Sequence, residues 1–369
     1  MSKPWMIYGA YGYTGELVAR EALRRGHRPR LAGRDEARLR AMADRLGLEA
    51  IPLDLGDGAG LARAVGDVGL VFHAAGPFVR TSEAMIQACL AAGVHYTDIT
   101  GEIPVFQGTF AHDAEAKQRG IVLLSGVGFD VVPTDCLAAY VARRVPGATE
   151  LDIAFAGLAQ PSGGTAKSTF EGALVGGFLR RGGKLVPTPL GKGGRRVRFA
   201  DRERSVLPIP WGDLETAYRT TGIPNITTYM AVPSGLASVA RGGWALGAAA
   251  APVARWILGA GPVRRSIERR IERTVKGPDD ALRASARSQI WARASDGAGR
   301  SAEAWLETLD GYSFTAVAGV RAVERILASN LAGALTPALA FGADFVLDVE
   351  GTSRHDALPA TPSAVGASR

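Results

Sequence analysis

Gly9, Gly12 and Gly15 stand at a spacing of three, between a short apolar run, Trp5 to Tyr8, and the apolar residues Leu17, Val18 and Ala19. The run reads as a strand, and the residues after the glycines open a helix reaching about Arg25. A glycine turn between strand and helix can hold a pyrophosphate. Gly9 allows the tight turn, Gly12 lets backbone approach the phosphates, and Gly15 lets the helix pack closely with its first N–H groups facing the anion. The spacing is Gly-x-x-Gly-x-x-Gly rather than Gly-x-Gly-x-x-Gly, but the context is the required one. Tyr11, Tyr13 and Thr14 share the turn and are expected to border the same cofactor.

Arg30 to Gly33 reads as a second strand, followed by Arg34. An acidic residue here would accept hydrogen bonds from a ribose diol, whereas the planar fork of an arginine pairs with a 2′-phosphate. The expected cofactor is therefore NADP(H), with Asp35 keeping NAD as the lesser option. Asp54, after a third short strand, falls at the adenine end. Val68 to Phe78 is an apolar strand ending in Ala74-Ala75-Gly76-Pro77. Small residues there let Ala75, Gly76 and Pro77 lie against the middle of the dinucleotide.

Hydride chemistry needs little more than orientation, a proton donor and exclusion of water. The candidate donors are Tyr96, Asp98 and Glu102 at one strand end, Asp130 and Asp135 at the next, and Tyr312 much later. Asp130 follows a glycine-rich strand end and is the preferred acid, and Tyr312, from the second domain, is the other catalytic candidate. Each carboxylate also has a structural reading, such as capping a helix for Asp135 or fixing a loop. No Ser/His/Asp signature occurs, and the five histidines have no metal spacing. A Tyr-x-x-x-Lys pair is missing too; Tyr140 is followed four residues later by Arg144.

Strands and helices alternate for about 125 residues, the length of a complete Rossmann unit. The expected fold is α/β: an N-terminal Rossmann domain with a doubly wound parallel sheet, over residues 1–133, and a second α+β domain over 134–330 for substrate and dimerisation. A segment, 331–351, returns to pack on the first domain, and 352–369 reads as a loose tail. Glu150 to Ala156 alternates as a half-buried strand, and Val206 to Trp211 reads as an edge strand because of its prolines.

The 369 residues carry a net charge of +7, from 43 basic and 36 acidic residues. The excess is local: residues 180–204 hold a net +7 and 264–276 a net +4, leaving the rest acidic. This excludes a uniformly basic nucleic-acid binder. The stretch 180–204 reads as a solvated loop or hairpin, with an acidic substrate group or a membrane surface as the other option. Two cysteines without ligand spacing fit a reducing compartment. Met1 to Pro4 are too few for a secretory signal, and the expected location is cytoplasmic. The apolar stretch 242–261 contains Arg255 and is too short between charges to span a bilayer. It reads as a buried or lid helix, or as a surface meeting lipid.

Five motifs in order resemble the saccharopine dehydrogenase-like oxidoreductases, closest to the trans-acting enoyl reductases of bacteria. They are Gly9-Ala-Tyr-Gly-Tyr-Thr-Gly15, Leu31-Ala-Gly-Arg34, Ala74-Ala-Gly-Pro-Phe78, Tyr96-Thr-Asp-Ile-Thr-Gly-Glu102 and Gly128-Phe-Asp-Val-Val-Pro-Thr-Asp135. The likeness extends to Gly163–Gly172, to Asp310-Gly-Tyr312 with Thr315, and to Leu335–Gly342. It implies NADP(H) use and a second domain whose sheet faces the nicotinamide. The resulting expectation is an NADPH-dependent reductase of a small-molecule or acyl/lipid-like substrate, with enoyl reduction in trans as the specific form. A homodimer and peripheral membrane contact are further expectations; nucleic acid and metal are not. Two alternatives remain: an imine or amino-acid dehydrogenase, with arginines near 195–204 receiving carboxylates, and a non-catalytic cofactor-binding, lipid-associated protein.

Overall fold

A computed structural model describes residues 3–157, 160–189, 192–233, 235 and 261–358. The first sheet is built from β1 (Trp5–Tyr8), β2 (Arg30–Gly33), β3 (Ala50–Pro52), β4 (Leu70–His73), β5 (His95–Asp98), β6 (Val122–Leu124) and β15 (Gly333–Ala334). All pairings are parallel, in the order β15-β6-β5-β4-β1-β2-β3. Chain direction across the sheet reverses between β1 and β4, which creates the crevice where such sheets bind ligands. The interleaved helices are α1 (Tyr13–Arg24), α2 (Glu36–Leu46), α3 (Gly58–Gly66), α4 (Ser82–Ala92), α5 (Ile103–Ala111) and α6 (Asp113–Arg119). β1 and β4 are buried at every residue. Layers on both faces explain why their sequences are apolar without alternation.

α7 (Val132–Arg143) carries the chain into a second, mixed sheet. Its main path is β10 (Arg195–Arg198), β11 (Glu203–Pro208), β12 (Asn225–Ala231), β7 (Glu150–Ala156), β13 (Arg287–Ser295), β14 (Ser301–Leu309) and β16 (Ser353–His355). The hairpin β8 (Gly177–Arg181) and β9 (Lys184–Thr188) joins through β12. Alternation in β7 sends Leu151, Ile153 and Phe155 toward Leu137 and Val141 of α7 and toward Ile290 and Ala292 of β13. Helices α8 (Gly163–Val175), α9 (Asp213–Thr221), α10 (Gly261–Thr274) and α11 (Asp280–Ser285) complete the described part of this region.

The chain returns to the first sheet earlier than residue 331. Helix α12 (Gly311–Leu327) already lies on it: a Cβ at Gly319 would meet the Phe72 ring of β4 at 2.7 Å. Glycine at this point lets helix and sheet approach closely. β15 then adds beside β6, and α13 (Pro337–Phe341) follows.

Two sequence expectations change and a third is borne out. β11 is internal rather than an edge, because β10 pairs along its outer side and its prolines fall at or beyond its end. The hairpin reading of 180–204 holds, since the antiparallel pairs β8–β9 and β10–β11 occupy much of it, and Arg195, Arg196 and Arg204 are tied to Asp152, Glu203 and Asp201 at 2.6–2.7 Å. Residues 353–355 pair with β14, and Arg354 lies 3.6 Å from the Tyr140 ring centre, so the tail is anchored there. The apolar stretch 242–261 lies, apart from Gly261, outside the described residues. Among the described residues, no helix is long and apolar enough to cross a membrane, and no cluster of His, Cys, Asp or Glu could hold a metal ion.

Candidate active site

The glycine turn folds as its spacing requires. Gly9 has φ +82°, and a Cβ on it would lie 2.8 Å from Ala75 Cβ. The turn is therefore pressed against the end of β4. A Cβ on Gly15 would lie 2.4 Å from the Gly9 carbonyl oxygen, so α1 starts directly on the turn. Gly12 differs: a Cβ there would meet only the Gly9 carbonyl, at 3.1 Å. Gly12 is also the N-cap of α1 and brings no capping side chain. An approachable backbone and an uncapped helix start fit a pyrophosphate.

At the adenosine end, Arg34 is exposed after β2 and makes no hydrogen bond or ion pair among the described residues. Burial pushes the Tyr8 hydroxyl up to about 12, opposed by Arg34 and assisted by Asp54. Both side chains thus lie within electrostatic reach of the end of β1. Asp54 accepts the Gly56 N–H at 2.8 Å and shapes the turn after β3. Tyr11 lies over Gly33 and accepts the Asp35 N–H at 3.1 Å. Arg38, absent from the sequence expectations, sits 4.7 Å from the Tyr11 ring centre. The signal for it was present: it is one helical turn from Arg34. Two arginines and an aromatic ring thus surround the expected 2′-phosphate and adenine end. Arg34→Ala is expected to weaken NADPH binding about 10- to 100-fold, the worth of a charge-assisted pair, and to leave NADH almost unchanged. Calorimetric titration with both cofactors checks this; equal losses would remove the 2′-phosphate role.

A second part of the cleft is formed where β4, β5 and β6 finish. The Gly76–Pro77 peptide is cis, and a short 3₁₀ turn, Phe78–Arg80, follows. Glu102 caps this turn, accepting from Phe78 N at 3.1 Å and Val79 N at 2.8 Å. The Ser168 hydroxyl of α8 donates to the same carboxylate at 2.7 Å. Asp130 lies alongside: a Cβ on Gly101 would be 3.1 Å from its Oδ2. Burial, and then the negative charge of Glu102, push the Asp130 carboxyl up to about 7. It remains half-buried rather than sealed. Trp211 of the second domain donates its indole N–H to the Asp130 carbonyl at 2.6 Å. Glu102, Ser168, Asp130 and Trp211 therefore converge from both domains.

Other candidates have structural surroundings. Asp98 is fully buried and accepts from Tyr96 and Ser125 hydroxyls and from Thr100 and Gly126 N–H groups, all at 2.8–3.0 Å. Burial raises its carboxyl to about 6 despite these donors. Tyr96 also meets His73 Nδ1 at 3.1 Å, and burial lowers that histidine to about 3, so it is neutral. This chain ties β4, β5 and β6 together beneath the site. Asp135 accepts from the Thr220 hydroxyl at 2.6 Å and from Ala338 N at 2.8 Å, linking α7, α9 and α13. Tyr312 sits edge-on to Tyr13, with ring centres 4.9 Å apart. Its hydroxyl accepts the Ser162 N–H at 2.5 Å and shares a bond with Thr165 at 2.9 Å. Tyr312 thus joins the second domain to the glycine turn.

Residues 5–124 match the family described as saccharopine dehydrogenase NADP binding domain. Over 147 residues the chain is 30% identical to the trans-acting enoyl reductase of Mycobacterium ulcerans, covering 38% of this chain and 35% of that protein. It is 31% identical over 147 residues to the trans-acting enoyl reductase of Mycobacterium tuberculosis, with the same shares covered. The match therefore spans about a third of those relatives' own length. Saccharopine dehydrogenase (L-Glu forming) from Saccharomyces cerevisiae shares the fold, with a TM-score of 0.62 at 14% identity over 94% of this chain and 96% of that one.

Proposed function

We propose, from a first domain that matches the saccharopine dehydrogenase NADP binding domain over residues 5–124, an NADPH-dependent reductase in which Asp130 supplies the proton. The observation carrying this reading is a carboxyl with its proton affinity raised to about 7, in the cleft at the ends of β4 to β6. A bound NADPH would deliver hydride to the substrate. The gly-turn backbone and the uncapped start of α1 hold the pyrophosphate, and Arg34 with Arg38 hold the 2′-phosphate. Glu102 keeps the Phe78–Arg80 turn in place, and burial, assisted by the Glu102 charge, keeps a large share of Asp130 protonated near neutral pH. Trp211 anchors the Asp130 backbone. Tyr312 positions the second domain over the glycine turn. With hydride added to one carbon, the protonated Asp130 would donate its proton to the neighbouring atom and remain as a carboxylate, to be reprotonated from solvent, which balances the reduction.

The substrate class we propose is an activated alkene on an acyl chain, as the names of the mycobacterial relatives suggest. Pairing of Arg195, Arg196 and Arg204 with carboxylates argues against their receiving a dicarboxylic amino acid. Membrane contact, a homodimer and a cytoplasmic setting remain proposals attached to this reading. The test is stopped-flow oxidation of bound NADPH on mixing with an enoyl thioester or with an imine of an amino acid. Rapid oxidation by the enoyl thioester alone is expected. Oxidation by the imine alone would replace the substrate class, and oxidation by neither would refute it.

A further inference from the structure

Residue Tyr13 opens α1, at the edge of the expected pyrophosphate seat, and the second domain grips its side chain. The Tyr13 hydroxyl donates to the Pro278 carbonyl at 2.5 Å and accepts from Arg283 Nη1 at 2.7 Å. Arg283 also donates to the Pro278 carbonyl at 3.1 Å and pairs with Asp280 at 2.6 Å. Gly277 has φ +81°, and a Cβ there would strike the Tyr13 ring at 2.9 Å. Lys276 bridges to Ser162, whose N–H reaches Tyr312, and Tyr312 packs on Tyr13. Segment 276–283 is thus fastened on the glycine turn from two sides.

The charge balance at this point is uneven. The Arg283 side chain is only 13% exposed, whereas that of its carboxylate partner Asp280 is 88% exposed. A guanidinium held close to a helix start is thus left with a counter-ion that solvent largely screens. Both the helix start and the guanidinium favour an anion between them.

We propose that Arg283 is a pyrophosphate ligand of the cofactor, delivered by the second domain onto the glycine turn of the first. It exchanges its exposed Asp280 partner for phosphate oxygens, while Tyr13 keeps the segment in register. Cofactor retention then depends on a residue 270 positions away from the turn. The proposal rests on the NADP(H) reading, which the unsubstituted protein tests separately.

The experiment is calorimetric titration of the full chain with NADPH, with 2′-phospho-ADP-ribose and with adenosine 2′-monophosphate, which has no pyrophosphate. Arg283→Met is expected to weaken the first two about 10- to 100-fold, the range of one charge-assisted bond, and to leave the third unchanged. Arg283→Lys should recover part of the loss. Unchanged NADPH binding by Arg283→Met overturns the proposal. So does an equal loss for all three ligands, since that would mean that Arg283 only braces the fold. If Arg283→Met does not fold, Arg283→Gln and Arg283→Lys decide by the same comparison. Failure of the unsubstituted protein to bind NADPH would overturn the cofactor reading along with the proposal.

Discussion

Asp130→Asn lowers the rate of substrate reduction by about 10²- to 10⁴-fold, the usual worth of a general acid, while NADPH affinity stays nearly unchanged. Amide and carboxyl have the same shape, so the loss isolates the proton. The pH dependence gives a second signature. The donor must be protonated, and its carboxyl sits at about 7. The rate in the native protein should therefore be level below that pH and fall as pH rises through it; the residual rate of the Asn variant should show no such step. Stability moves in a related way. An unfolded Asp loses its proton near pH 4, whereas the folded one keeps it to about 7. Across that window the folded state binds more protons, so native stability declines with rising pH. Asp130→Asn removes this decline, so above pH 7 the variant should unfold at a higher temperature relative to native protein than it does at pH 4. Calorimetric unfolding at both pH values checks it. A variant with full activity would end the assignment, whatever its stability.

Much of the first domain was legible because its signals are local. The glycine turn, Arg34 and the Ala75–Pro77 strand end each depend on neighbours within a few residues, and parallel strands buried on both faces stand out as apolar runs. The second domain yielded less. Trp211 reaches the Asp130 carbonyl across 81 residues, and Arg283 reaches Tyr13 across 270. No period or motif marks such pairs, since only the completed fold brings them together. Helix α12 was misplaced for a related reason. Its alanines, valines and glycine suit either sheet, and only the fit of Gly319 on Phe72 selects the first. The carboxylates show a third limit. Asp98, Asp130 and Asp135 all follow strand ends and look alike in sequence. The first and third are surrounded by hydrogen-bond donors, whereas no side-chain hydrogen bond to Asp130 occurs among the described residues and Glu102 lies beside it. Surroundings, not position, separate the proposed acid from the braces.

Gly15→Ala is expected to abolish measurable NADPH binding while leaving a folded protein. Gly15 does not have a positive φ, so alanine is acceptable to the backbone. The obstacle is space. The new Cβ would lie 2.4 Å from the Gly9 oxygen and 2.8 Å from the Ala10 oxygen, and both are backbone atoms that cannot swing away. Relief requires α1 to lift off the turn, at a cost of about 1–3 kcal/mol for overpacking a tight contact. That is a fraction of the stability of a typical domain, so the fold survives. The same displacement is far more damaging to an anion site, where several N–H groups must converge on one phosphate and misplacement by about an ångström can cost 100-fold. Gly12→Ala provides the contrast: its Cβ would meet only one oxygen, at 3.1 Å, leaving α1 in place. It should keep native thermal stability and lose affinity only through obstruction of the phosphate face. Thermal unfolding and NADPH titration of both variants separate the two causes. If Gly15→Ala binds NADPH normally, the close seating of α1 on the turn is not what forms the phosphate site.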